Sequence, residues 1–475
     1  MVFSSLIFVL AFLPACLLFY YLMPTLSAKN VVLLLFSIIF YAWGGPLFVL
    51  IMLFDTVVCF FGARLIDKHR GTGKSKAALI TTVALTLLVL GIFKYTDFFL
   101  SGVKLITGWP DKLPGIILPI GISFYTFQLI TYVVDVYRGE VKVQKNFAWL
   151  LLYTAMFHQC IAGPIVRYKQ ISRELTWRKL TVERIYKGIV RFSIGLAKKA
   201  ILANACASVA DNLLASEKLA GASSAAIVTG ILCYTLYIYL DFSAYSDMAI
   251  GMGLAMGFHL PENFNYPYIS ESITEFWRRW HMTLSSFFRD YVYIPLGGNR
   301  VGALRHILNL LIVWSLTGLW HGAHLNFVLW GVYYFVILVF EKYVLKNSKS
   351  TALKVIGHIY TPILFVIGWA IFRFTDLTEL VTAFKGVFTL NGNRLYDKAT
   401  YLLVKSNVFI LLISFIACTP LYSRIVRKLT DAARNSGRAE TLVIFWNTVF
   451  AIACLALSVM ALIGNTYNPF LYFQF

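Results

Sequence analysis

The chain has 475 residues, of which 59% are hydrophobic, 16% aromatic and only 13% charged. A soluble globular domain carries about 25% charged residues, so this composition excludes one and points to a polytopic membrane protein of the all-α class. The net charge of +20 invites a nucleic-acid partner, but the basic residues are gathered in loops: four Lys/Arg in 68–76, eight in 167–191, four in 342–354 and five in 424–438. Such loops follow the positive-inside rule beside anionic lipid headgroups and need no nucleic acid.

In chain order, the first apolar run covers 3–23. It has neither an n-region charge nor an A-x-A cleavage site, and it reads as a retained helix. Runs at 30–43 and 46–66 follow. Gly71-Thr-Gly-Lys-Ser75 looks like the end of a phosphate-binding loop, but Lys68 stands where that loop needs glycine; it reads as a flexible basic loop. After 77–99 comes 115–136, broken by Pro119 and Gly121, with Gln128 as its most buried polar candidate. The run 147–162 contains His158 and breaks at Gly163-Pro164. A stretch from Thr181 to Leu214 begins basic and turns apolar (185–215). Runs at 223–240 and 242–258 flank Tyr239-Leu-Asp-Phe-Ser-Ala-Tyr-Ser-Asp247, and 261–305 is the longest semi-polar block. Runs at 306–320, 324–340, 355–373, 400–419 and 441–463 complete the pattern. The whole predicts roughly eleven transmembrane helices plus re-entrant or in-plane pieces. It reads as one membrane domain, 1–475, with the catalytic core at about 115–345. Alternating from the basic loops puts the N-terminus, 101–114, 374–398 and the C-terminal tail outside. Seven scattered cysteines without ligand or redox spacing read as small hydrophobes.

The sharpest signal is His321 in Thr317-Gly-Leu-Trp-His-Gly322. An ionisable imidazole between apolar runs is costly and by default marks function. The preceding run, 307–319, is short for a bilayer crossing, which predicts that His321 ends a broken helix within the slab. Gly318 and Gly322 would allow the tight backbone of that break. His321 and His324 stand three apart, but no further ligand occurs at zinc spacing, so no metal is expected. Ser272 to Arg289 has the periodicity of one two-faced helix. Phe276, Trp280, Leu284 and Phe287 form the apolar stripe; Thr274, Arg278, His281 and Ser285 the polar one, and Glu275 can pair with Arg279. Either this is a lipid-surface helix whose His281 snorkels, or it is a polar wall with Arg278 or Arg279 meeting phosphate. Asp241 and Asp247, with Tyr245 between them, need buried partners: tyrosines, the arginines near 278, or His321. They belong to a structural polar network or to a cavity wall. His158 reads as structural.

No nucleophile elbow, redox centre or metal set is encoded. An imidazole titrating near neutrality suits proton transfer during group transfer from an already activated donor, such as a thioester, to a hydroxyl. A transporter using the polar cavity for passage is the rival class. Transporters commonly show paired broken helices, whereas the polar motifs here fall in one asymmetric block, 118–331.

At these residues the chain resembles the membrane-bound O-acyltransferase superfamily, and within it the bacterial alginate O-acetyltransferase branch. The resemblance is carried by Ala162-Gly-Pro-Ile-Val-Arg-Tyr168, Asp241-Phe-Ser-Ala-Tyr-Ser-Asp247, Pro261-Glu-Asn-Phe-Asn-Tyr-Pro267, Phe276-Trp-Arg-Arg-Trp-His281, the block from Phe288 to Arg300, and Thr317 to Gly322. His158-Gln159 departs from the branch, where an apolar residue or proline is expected before the Gln. The resemblance implies a fold around a central funnel and tunnel, with His321 as the signature catalytic histidine and His281 as the second family position. Asp241, Tyr245, Asp247, Trp277, Arg278, Arg289, Trp320, Asn326 and Gln128 would line the substrate path, with Arg278 and Arg279 toward the donor. It implies acetyl-CoA as donor substrate and no permanently bound cofactor. The implied partners are an extracytoplasmic SGNH or esterase-like acetyltransferase and an exported polysaccharide, at the cell membrane. D-alanyl transfer to teichoic acid from a carrier-protein thioester is the alternative within enzymes.

Overall fold

The computed structural model describes residues 1–110, 112–345, 351–433 and 437–464. The tail beyond Gly464 and the middle of the 342–354 loop, both assigned sides from charge, lie outside the described residues. Among the described residues all regular structure is helical. In chain order the main helices are α1 (Phe8–Leu22), α2 (Leu26–Ala42), α3 (Pro46–Lys68), α4 (Gly73–Thr107), α5 (Ile122–Arg138), α6 (Phe147–Ala155), α7 (Val182–Leu213), α8 (Ser224–Ala255), α9 (Ile273–Arg279), α10 (Met282–Phe288), α11 (Ala303–His321), α12 (Leu325–Tyr343), α13 (Thr351–Arg373), α14 (Leu377–Val387), α15 (Lys398–Ala417), α16 (Leu421–Ala433) and α17 (Gly437–Gly464). Among the described residues nine helices are long and apolar enough to cross a membrane, with α1 and α2 as shorter apolar ones. The chain is a multi-pass all-α membrane protein. Leu105, Ile106, Leu304 and Phe409 are largely exposed, as expected of side chains that meet lipid. All seven cysteines are buried free thiols.

Four sequence expectations change. The runs at 223–240 and 242–258 are one continuous helix, α8, so Asp241 to Asp247 lies mid-helix and not at a junction. Residues 73–75 form the first turn of α4, leaving only a short turn before it. The periodic stretch from Ser272 is broken at Trp280-His281 into α9 and α10, because Trp280 is extended and His281 left-handed (φ 43°). Finally, α11 spans 19 residues, beginning at Ala303; at ~1.5 Å per residue it matches a hydrocarbon core. The helix does end at His321, but its length no longer argues for the depth of the imidazole.

Two compact units are distinguished, residues 1–192 with 246–262, and residues 193–245 with 263–475. In the first, Gly121 (φ 78°) starts α5 where any side chain would strike the Cys160 carbonyl, 2.3 Å from its Cβ position. Gly188 and Gly251 likewise let α7 approach α8, each Cβ position falling within 2.7 Å of the other's carbonyl oxygen. The end of α8 is sealed by Tyr20, which donates to the Met256 carbonyl at 2.7 Å, by Tyr21 to Ala255 at 2.7 Å, and by Arg178 to Met256 at 3.0 Å. These bonds satisfy carbonyls that the helix leaves open.

In the second unit α11 and α12 form a hairpin of close backbones. A Cβ on Gly318 would lie 2.2 Å from the Phe327 carbonyl, and one on Gly331 2.4 Å from that of Trp314. Gly318 is helical and Gly322 is fully extended (φ −176°). Their value is space, Gly322 making room for the Phe327 ring, rather than the backbone freedom expected of a helix break. Asn326 donates to the carbonyls of Ile371 and Phe372 at 3.3 and 3.2 Å and so fixes the end of α13. Asp397 caps α15, accepting from Thr400 N and Oγ1 at 2.8 and 2.7 Å and from Ser223.

Candidate active site

His281 and His321 both belong to the second unit and share a neighbour. The Trp320 ring lies 5.7 Å from the His281 ring and 4.8 Å from that of His321. His281 is 1% exposed and His321 8%. His281 therefore does not snorkel, and the lipid-surface reading of its segment is set aside. His321, the last residue of α11, is packed edge-on against Trp330 at 5.1 Å and Phe372 at 5.2 Å. The Asn326 bonds to α13 hold Phe372 in that place.

His281 is positioned from three sides. Phe242 of α8 stands edge-on to its ring at 4.6 Å. Its Nδ1 lies 3.0 Å from Asn263 Oδ1, which also accepts from Thr283 N at 3.3 Å and Thr283 Oγ1 at 2.8 Å. The Asn263 carbonyl accepts from Met282 N at 2.9 Å, pinning the start of α10. Nε2 of His281 is buried with no hydrogen-bond partner. A left-handed histidine costs roughly 1–2 kcal/mol, and the Asn263 clasp holds it there. In this segment between spans, burial and the charge of His321 hold the His281 imidazole well below its ordinary value. It is neutral at pH 7 and able to accept a proton.

The helix that leads to His281 is itself gripped from α12. Glu341, 4% exposed, accepts from Ile273 N at 2.7 Å, Thr274 N at 2.8 Å and Thr274 Oγ1 at 2.6 Å, and its other contact is the Tyr360 hydroxyl at 2.8 Å. A carboxylate on the open N–H groups of a helix start satisfies donors and favours the dipole.

Around the histidines lies an aromatic cluster. Trp277 meets Trp314 at 4.9 Å, Trp330 at 5.3 Å and Tyr334 at 4.8 Å, and Trp330 meets Trp369 at 6.2 Å. Nε1 of Trp277 and Trp330 and the Tyr334 hydroxyl are buried donors without a protein acceptor. Buried polar groups are ordinarily paired, so their concentration beside His321 is a chemical feature of the site.

The remaining candidates are distributed as follows. Arg278 is exposed; Arg279 pairs with Glu275 at 2.7 Å, as its spacing suggested, and Arg289 is exposed beside Asp290 at 2.7 Å. Asp241 meets Lys199 at 2.6 Å with both side chains fully buried, a partner not among those expected. Tyr245 is fully buried. In the first unit, Asp247 shares Arg191 with Glu262, at 2.9 and 2.6 Å. Gln128 is fully buried in α5, its amide atoms without partners, and His158 is fully buried against Phe157 and Phe258 with both ring nitrogens unpaired. Asn263, Lys199 and Glu341 escaped notice in the sequence. Each left a trace: a polar residue inside the Pro261–Pro267 motif, a lysine inside an apolar run, and a carboxylate at the end of one.

A helical membrane scaffold that buries two imidazoles in an aromatic cluster defines a membrane-embedded group-transfer enzyme. The membrane-bound O-acyltransferase (MBOAT) family pattern matches residues 35–382, and the chain belongs to that family. It is 36% identical over the full length of both chains to a probable alginate O-acetylase (AlgI) of Pseudomonas aeruginosa. It is 31% identical to a peptidoglycan O-acetyltransferase of Helicobacter pylori, covering all of this chain and 98% of that one. A teichoic acid D-alanyltransferase of Bacillus subtilis is 30% identical over 49% of this chain and 60% of its own. The protein is therefore an O-acyltransferase, which decides against the transporter reading.

Proposed function

We propose that this chain takes an acetyl group from acetyl-CoA on the cytoplasmic side and delivers it across the membrane toward hydroxyls of an exported polysaccharide. An extracytoplasmic SGNH or esterase-like acetyltransferase completes the delivery. In the step on this chain a hydroxyl oxygen of that partner attacks the thioester carbonyl, the C–S bond breaks, an ester forms on the partner, and the proton lost by the hydroxyl ends on the departing thiol; the partner then passes the acetyl group to a polysaccharide hydroxyl. His321 acts as base and proton shuttle for that transfer, with His281 beside it. The thioester supplies the driving force, so the protein needs positioning and a proton acceptor.

The observation that supports this most is the pair of buried imidazoles that share the Trp320 ring as a neighbour, His281 at 5.7 Å and His321 at 4.8 Å. The unpaired indole and phenol donors around them suit a substrate that brings carbonyl acceptors, as a thioester and its amide-bearing arm do. Full-length similarity to proteins named as O-acetylases favours acetyl over D-alanyl, for which the similarity covers half the chain.

The test is transfer from radiolabelled acetyl-CoA by the purified protein in lipid nanodiscs, with the extracytoplasmic acetyltransferase and a polysaccharide hydroxyl acceptor both present and His321→Ala as control. Label passing to the acceptor with wild type and not with the control is expected. Transfer only from a carrier-protein D-alanyl thioester would replace this reading with the alternative.

A further inference from the structure

We infer that Asn263 is a positioning residue that fixes His281 as the tautomer protonated on Nδ1, so that the bare Nε2 faces the reaction as a hydrogen-bond acceptor. The role rests on the acyl-transfer reading above; the proton on Nδ1 follows from geometry. Asn263 Oδ1 lies within 3.3 Å of Thr283 N, a backbone N–H that can only donate. That atom is therefore the amide oxygen and not the nitrogen, and an oxygen can only accept. His281 Nδ1, 3.0 Å from the same oxygen, must then carry the proton. A neutral imidazole has one protonated nitrogen, so Nε2 holds a lone pair. Nε2 is buried and without a partner in the protein, and a lone pair without a donor is costly there. The donor it suits is a hydroxyl or ammonium brought by a substrate.

The backbone serves the same end. His281 sits in a left-handed conformation between two short helices, and Asn263 bonds to both residues that follow it, Met282 and Thr283. One residue thus sets the place, orientation and protonation of the ring. The other groups packed on that ring, Phe242 and Trp320, carry no titrating charge; His321 is the titratable group whose charge acts on it.

Three variants test this: Asn263→Asp, Asn263→Ala and Thr283→Val. The first keeps an acceptor on Nδ1–H but makes it anionic. The second removes the acceptor. The third removes the Thr283 hydroxyl from the same oxygen and serves as the anchoring control. Nitrogen-15 NMR on histidine-labelled protein in nanodiscs, with His281 assigned by its loss in His281→Gln, reads the tautomer without any need for activity. Wild type should show a protonated Nδ1 and a bare Nε2, and Asn263→Ala a mixture. In acyl-transfer assays Asn263→Ala should lower kcat about 10-fold or more with donor KM within about two-fold, since the loss falls on the ring that accepts a hydrogen bond from the reacting group and not on donor binding. Asn263→Asp should retain most of kcat and move the acid limb of the pH–rate profile up by about one unit, because an anion beside Nδ1–H favours the charged ring. Thr283→Val should leave that limb in place. A wild-type His281 protonated on Nε2 overturns the inference, as does a folded Asn263→Ala protein with unchanged tautomer. Altered tautomer with an unchanged rate overturns the positioning role. Loss of transfer in no variant, including His321→Ala, instead sinks the acyl-transfer reading of the site and leaves the NMR result standing.

Discussion

The two histidines are each held by named neighbours: His321 packs against Trp320, Trp330 and Phe372, and His281 packs against Phe242 and Trp320 and is fixed by the hydrogen bond between its Nδ1 and Asn263. His321→Ala should abolish acetyl transfer, a loss of at least ~10²-fold if its part is acid–base, with protein level and melting temperature near wild type. His281→Ala should impair the same assay less completely. Because the His281 imidazole is depressed in the folded protein, the neutral form required of an acceptor persists as pH falls below the ordinary histidine value. The acid limb of kcat should therefore lie below pH ~6.5, and a limb above that value would contradict the assignment. Lys199 and Asp241 carry a separate expectation, since both are fully buried. Lys199→Met should destabilise the protein by ~3–5 kcal/mol, and adding Asp241→Leu should recover much of the melting temperature. His321 stood out in the sequence because a charge-bearing group between apolar runs has few bland explanations, whereas His281, in a semi-polar block, was singled out by the family resemblance. Lys199 was not, because it lies near a basic stretch that already accounted for lysines. Asn263 was not either, since an asparagine in a polar block announces nothing until its oxygen is seen to have three donors.

At the level of helices, periodicity located most spans but misread two joints. The Ser272–Arg289 pattern repeats like one helix, yet the chain turns at His281 because Asn263 supplies a hydrogen-bonding alternative to the helical ladder. The opposite error occurred in α8, where polar residues suggested a junction; Lys199 and Arg191 offset the carboxylates, and the helix continues through them. Glycines allow close helix approach where Gly251 meets Gly188. The α11–α12 hairpin makes that approach testable. Gly331→Val would set a side chain against the Trp314 carbonyl, where backbone leaves no flexible neighbour to give way. We expect a loss of ~1–3 kcal/mol and a fall in transfer activity, read by thermal unfolding in detergent and by the acetyl-CoA assay.

Across the whole chain, composition alone established a membrane protein, and motif order established its family. What composition could not give is the identity of donor and acceptor, because substrates are recognised by shape and by a few hydrogen-bonding groups rather than by bulk polarity. The charge pattern predicts sidedness, and the buried state of all seven cysteines makes that expectation easy to check. A cysteine introduced at exposed Thr72 should resist a membrane-impermeant thiol reagent in intact cells, and one at exposed Leu395 should react, as basic loops stay inside. The reverse pattern would invert the topology and with it the direction of acetyl passage. Glu341 carries one more consequence for the second unit. Its carboxylate ties the hairpin that ends in His321 to the first turn of the helix leading to His281, closing a circuit of two rigid rods and one clasp. The gap between the imidazoles is thereby gauged within that circuit, so a shift of the hairpin during turnover would carry both rings along as a matched pair rather than prise them apart.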